Sequence, residues 1–148
     1  MKISVSKEAI SSGLQSVQNV VGARSTLPIL SNVLLIAGDN KLELRATDLE
    51  VSINASVPAK VEVEGASSLP AKRLFGLVRE IEANEIEIDI NDKEIATVQA
   101  GAANYKLHGL GADEYPQTAQ FQESGKIKVA QAKFREMIRK TSYAVSTD

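Results

Sequence analysis

The chain has 148 residues, 43% of them hydrophobic and 24% charged, with a formal net charge of −2, which is room for about one ordinary soluble domain with a sizeable core. The absence of cysteine excludes a disulfide framework, a thiolate zinc site and a thiol nucleophile. No apolar run is long enough for a transmembrane helix, and Met1-Lys-Ile-Ser-Val alternates polar and apolar residues where a signal peptide would carry an unbroken apolar stretch, so the expected location is the cytoplasm, with no membrane partner.

Lys2 to Ser6 reads as a strand, with Ile3 and Val5 on one side. Ser6 is a helix cap, Glu8 belongs to the first turn, and Ile10, Leu14, Val17 and Val21 recur at helical spacing until Gly22. Residues 25–31 form a loop stiffened by Pro28. Asn32 to Ala37 is a continuous apolar run, as in a well-covered strand, and Gly38-Asp39-Asn40 is a turn. Lys41 to Arg45 alternates, and so do Leu49, Val51, Ile53, Ala55 and Val57 up to Pro58.

The order then repeats. Ser67 to Leu69 is a short strand ended by Pro70, and residues 71–82 form a helix with Leu74, Phe75, Val78 and Ile81 on one face. Ile86, Ile88 and Ile90 alternate with acids, Asn91-Asp92 turns the chain, and Ile95, Ala96 and Val98 return it. A last strand carries Tyr105 and Leu107. Residues 1–58 and 67–109 therefore share one pattern: strand, helix, three strands. Two such halves predict two amphipathic helices side by side over a continuous antiparallel sheet. Residues 109–122, with Gly109, Gly111 and Pro116, read as linker-like. A strand at 125–129 (Ile127, Val129) and a helix at 130–141 with Phe134, Met137 and Ile138 inward open a third copy, and alone these cannot bury their apolar faces.

Charge is unevenly distributed. Glu85, Glu87, Asp89, Asp92 and Glu94 stand against Lys93 alone, whereas Lys133, Arg135, Arg139 and Lys140 stand against Glu136. A basic surface can hide within an acidic average. Catalytic signals are weak. His108 is the one histidine, Ser11, Ser12 and Ser31 have no triad context, and the glycines at 101, 109 and 111 fit no phosphate-binding loop. No catalytic residue, metal ligand or cofactor is expected, although the acids at 85–94 leave a metal-dependent enzyme as a remote alternative.

Four segments, in order, carry a resemblance: Arg24-Ser-Thr-Leu-Pro-Ile-Leu-Ser-Asn32, Ala46-Thr-Asp-Leu-Glu50, Leu69-Pro-Ala-Lys-Arg-Leu-Phe75 and Asp113-Glu-Tyr-Pro116. Together they resemble the bacterial DNA sliding clamp family, the beta subunit of DNA polymerase III. The resemblance covers the whole chain and implies an α+β fold of DNA-clamp type. It places a complete first domain at 1–118, a linker at 119–124, and the opening strand and helix of a truncated second domain at 125–148.

In that family a ring of two head-to-tail subunits, each of three such domains, encircles duplex DNA and tethers the replicative polymerase. The resemblance thus implies a non-catalytic N-terminal fragment of a processivity factor, bacterial, cytoplasmic and nucleoid-associated during replication. Its implied partners are double-stranded DNA without sequence preference, a second clamp subunit, and the polymerase and clamp loader through later domains. By resemblance Arg24 reaches DNA from the rim of the hole, with Lys72, Arg73 and Arg79 as further DNA-binding residues. Arg73, Tyr105 and Leu107 fall at the subunit interface. Ala102 and Asn104 are uncharged where the family carries arginines, which shifts the expected ring joint from ion pairing towards packing and strand pairing. The alternative from the residues alone is a stand-alone protein-interaction module that uses its exposed edge strand.

Overall fold

The computed structural model describes residues 1–21, 27–116 and 127–146. The chain separates into two compact units, Met1–Thr118 and Ala119–Asp148. The first contains β1 (Lys2–Ser6), α1 (Lys7–Val17), β2 (Asn32–Gly38), β3 (Lys41–Thr47), β4 (Ser52–Pro58), β5 (Lys60–Val63), β6 (Gly65–Pro70), α2 (Ala71–Glu80), β7 (Glu85–Ile90), β8 (Ile95–Ala100), β9 (Ala103–His108) and β10 (Leu110–Gly111), with 3-10 turns at Pro28–Ser31 and Ala112–Glu114.

The strands form two antiparallel sheets, ordered β5-β1-β7-β8-β9 and β10-β6-β2-β3-β4. Exchanging β1–β5 with β6–β10 converts one order into the other, so the unit is an internal pseudo-dimer. Each repeat lends its first strand to the other's sheet. β1 lies against β7 (Lys2 opposite Asp89, Ser6 opposite Glu85), and β6 lies against β2 (Pro70 opposite Asn32, Gly65 opposite Ala37). The expected continuous sheet is therefore two sheets sharing one core. That core draws Ile3, Ile10, Leu44, Leu69, Leu74 and Ile88, among others, from both repeats.

Local chemistry explains the elements. The Ser6 side chain accepts from Ala9 N at 3.2 Å and caps α1, whose Ile10, Leu14 and Val17 are buried. α1 packs on β3 and β4, and a Cβ on Gly13 would stand 2.4 Å from Leu44 Cδ1, so the glycine permits that approach. Asp39 and Asn40 both take positive φ (49° and 54°) in the β2–β3 hairpin turn, the twist-matched form. Asn91 Oδ1 accepts from Lys93 N and Ile95 N in the β7–β8 turn.

Three expectations change. α1 ends at Val17, four residues short of Val21. β5 was not foreseen, because Lys-Val-Glu-Val is short and half-charged. The linker-like stretch is partly structured: β10 pairs with β6, and Tyr115 is buried with its hydroxyl 3.3 Å from the carbonyls of Asn32 and Arg45.

In the second unit α3 spans Gln131–Thr141. Of the strand expected at 125–129, residues 127–129 are not a strand and residues 125–126 lie outside the described residues; without a second strand, backbone groups at 127–129 gain no ladder. Phe134, Met137 and Ile138 are exposed rather than inward, each a little over half accessible, because nothing among the described residues of the unit covers that face. Among the described residues no helix is long and apolar enough to cross a membrane.

Candidate nucleic-acid interface

The basic residues expected to meet nucleic acid, apart from Arg24, all lie on α2. Pro70 ends β6 and α2 begins at once, burying Ala71, Leu74 and Val78. That phase leaves Lys72, Arg73 and Arg79 exposed. α1 and α2 pack together and run antiparallel: at the start of α1 the Lys7 ammonium donates to the Ile81 carbonyl, and Lys7 N donates to Asn84 O at 2.8 Å. The exposed positions of α1 include Glu8, Ser12 and Gln15, with Gln18 following at its end, so this helix adds one acid and otherwise uncharged polar groups.

Lys72 and Arg79 come together on one groove. Its wall on α2 is Lys72, Phe75, Gly76 and Arg79, and Gln18, Asn19 and Val21 lie opposite, after α1, around about 420 Å³ of space. Arg79 is mostly exposed and pairs with Glu80 at 3.0 Å, which holds the guanidinium without removing it from water. Arg73 does not line the groove; one residue on from Lys72, it points about 100° around the helix. Arg24 lies outside the described residues.

The opposite sign occupies a sheet face. On β7, Ile86, Ile88 and Ile90 are buried while Glu85, Glu87 and Asp89 are exposed. Lys2 bonds Glu62 at 2.6 Å on this sheet, which raises the Lys2 pKa and lowers that of Glu62. On the other sheet, Arg45 bonds Glu43 at 2.8 Å and Lys41 lies at 3.3 Å, so the Glu43 carboxyl is held below the ordinary carboxylate range. The exposed side of α2, with Lys72, Arg73 and Arg79 against Glu80, is net positive, and the exposed side of β7, with Glu85, Glu87 and Asp89, is negative. Among the described residues no group of three acids or histidines could hold a metal ion.

β9 is a sheet edge, paired only to β8. It shows Asn104, Lys106 and His108, with Tyr105 40% exposed. Leu107, expected at the subunit interface, is only 8% exposed and belongs to the core opposite Ala96. Its neighbour two residues back shares its side of the strand but reaches the accessible margin. Among the described residues of β9, Tyr105 is the large apolar side chain left exposed.

A family model for the N-terminal domain of the DNA polymerase III beta subunit matches residues 1–120. The chain is 32% identical over 148 residues to the beta sliding clamp of Chlamydia muridarum, covering all of this chain and 40% of that protein. It is 34% identical over 148 residues to the beta sliding clamp of Pseudomonas aeruginosa, covering 99% of this chain and 40% of that protein. Among solved structures, the DNA polymerase sliding clamp of Caulobacter crescentus aligns with a TM-score of 0.94 at 33% identity, over all of this chain and 40% of that one. The chain thus spans about 40% of the length of the relatives it matches.

Proposed function

This chain belongs to the family of DNA polymerase III beta subunits, the bacterial sliding clamps, and on that footing we propose that it supplies the first domain of a ring that encircles duplex DNA and tethers the replicative polymerase. The observation that carries this reading is the match to the family's N-terminal domain over residues 1–120. Its physical support is the separation of charge: a basic α2 to face phosphates and an acidic β7 face to turn away from them.

A ring that slides must hold DNA by topology and touch phosphates lightly. Lys72 and Arg79 among uncharged Ser12, Gln15 and Gln18 meet that need. Arg24 is proposed as a further DNA contact from the rim, and Arg73 as a residue shared between DNA and the ring joint. No catalytic step is assigned to the chain. Its site of action is the bacterial cytoplasm at the replication fork, with a second subunit, the polymerase and the clamp loader as partners of the full-length protein. The ring joint closes along β9 through backbone pairing around Tyr105, since Asn104 is uncharged.

The test is a chimera in which this chain replaces the matching first part of the Pseudomonas aeruginosa clamp, loaded on nicked circular plasmid by that organism's loader. Retention on the circle and loss on linearisation is the expected result. Equal retention on both forms sinks the ring reading.

A further inference from the structure

The groove beside α2 has an apolar floor that duplex DNA cannot use. Phosphates of a duplex need only Lys72 and Arg79, because duplex bases have their faces covered by stacking. Yet Val21, Ala71, Phe75 and Gly76 line the same groove, and no acidic residue does. Phe75 is half-buried there, at i+3 from Lys72 and i−4 from Arg79, so an aromatic ring stands between two cations on one helix face. Their α-carbons are about 10 Å apart along the helix. Gln18 and Asn19, exposed on the opposite wall, offer amide donors and acceptors.

Cations flanking an aromatic surface, with amides in reach, match an unstacked nucleotide: phosphate to cation, base face to ring, base edge to amide. A groove of about 420 Å³ lies within the range of small-ligand sites. We propose that this groove binds an unpaired nucleotide of single-stranded DNA, with Phe75 against the base and Lys72 and Arg79 on the flanking phosphates. The inference rests on the reading that the helix layer faces nucleic acid. It adds that this groove distinguishes an exposed base from a paired one.

The test uses the full chain and three fluorescein-labelled probes of about twelve nucleotides: oligothymidylate, an abasic oligomer of equal charge, and a duplex. Fluorescence anisotropy at low salt gives the affinities. The expected result is oligothymidylate binding about tenfold or more tighter than the abasic oligomer. Phe75→Leu abolishes that preference with its circular dichroism unchanged, whereas Lys72→Gln and Arg79→Gln weaken both single strands alike. Equal affinity for oligothymidylate and the abasic oligomer overturns the proposal.

Photocrosslinking of the unsubstituted chain to an oligomer containing 4-thiothymidine provides a second measurement, independent of whether Phe75→Leu folds. Adducts on Phe75 or the groove residues around it support the proposal, and adducts confined elsewhere overturn it. The duplex probe separates the two readings. Duplex binding without base preference removes the groove alone, and base preference without duplex binding removes the duplex-facing role of the helix layer.

Discussion

Ser68 holds Asn32 across the β6–β2 pair: the Asn32 Nδ2 donates to the Ser68 hydroxyl at 3.0 Å, and that hydroxyl donates to the Leu110 carbonyl at 3.0 Å. The internal pseudo-symmetry repeats this bond in the other sheet, where Ser4 on β1 donates to Glu85 on β7 at 2.6 Å. Each bond lies where one repeat's first strand enters the other's sheet. The two differ in depth, since Asn32 and Ser68 are buried and Glu85 is exposed.

That difference predicts unequal costs. Ser68→Ala leaves a buried amide and a carbonyl without this partner and is expected to lower stability by about 1–3 kcal/mol. Ser4→Ala frees a carboxylate that water can reach, and costs about 1 kcal/mol or less. Urea unfolding of both variants measures the difference, and equal costs count against burial as its source.

Tyr115 latches the segment after β10 onto β2 and β3. Its hydroxyl lies 3.3 Å from both the Asn32 and Arg45 carbonyls. Tyr115→Phe is expected to cost about 1 kcal/mol at neutral pH. Burial also raises the phenol pKa above its ordinary value. The folded state therefore holds this proton more tightly than the unfolded chain. Its contribution is fully present below the unfolded pKa of about 10 and is lost as pH rises through the folded value. Melting temperatures across the alkaline range should fall less steeply for Tyr115→Phe than for the unsubstituted chain.

Gly109 is required by contact. A Cβ there would stand 2.4 Å from the Ser68 carbonyl oxygen and 3.1 Å from that of Glu94, and Gly109 N donates to Glu94 O at 2.7 Å. Gly109→Ala must displace backbone in β6 and in the β7–β8 turn, at an expected cost of about 1–3 kcal/mol or more. Thermal unfolding without loss of stability would show that β6 and the β7–β8 turn can yield at no cost.

DNA contact is read from salt dependence. In the chimeric ring, Lys72→Gln and Arg79→Gln are each expected to reduce the slope of log affinity against log salt by roughly 1, the counterion release of one phosphate contact. Arg24→Ala is expected to act likewise and to weaken loading. Unchanged slopes would remove these residues from the phosphate contacts. Arg73→Gln, on the neighbouring flank of α2, should instead be followed by both slope and ring dissociation, which separate its two proposed roles.

Much of the fold is visible in local patterns. The Ser6 cap, the Ile10–Leu14–Val17 stripe and the alternation of isoleucines with acids on β7 are set by periodicity and hydrogen-bonding habit, which need only a few neighbouring residues. The basic face of α2 follows the same way, since burying Leu74 and Val78 fixes Lys72, Arg73 and Arg79 on the remaining arc. What escaped is non-local. β5 has four residues and exists because β1 offers it an edge. Tyr115 looked like part of a linker, and only the open end of the β2–β3 ladder gives its hydroxyl two carbonyls.

The sequence by itself therefore determined most of the element order of the first unit, the inward faces of α1, α2 and β7, and the family, because each rests on short-range periodicity or on residues in register along the chain. The tertiary structure alone decided that the repeats exchange first strands to make two sheets, that Leu107 is core while Tyr105 is accessible, and that Lys72, Phe75 and Arg79 share a groove with Gln18 and Asn19. The reason is physical: alternation says which side of a strand a residue takes, but burial and pairing depend on what another segment, some 80 residues away for Ser4 and Glu85, lays over that side.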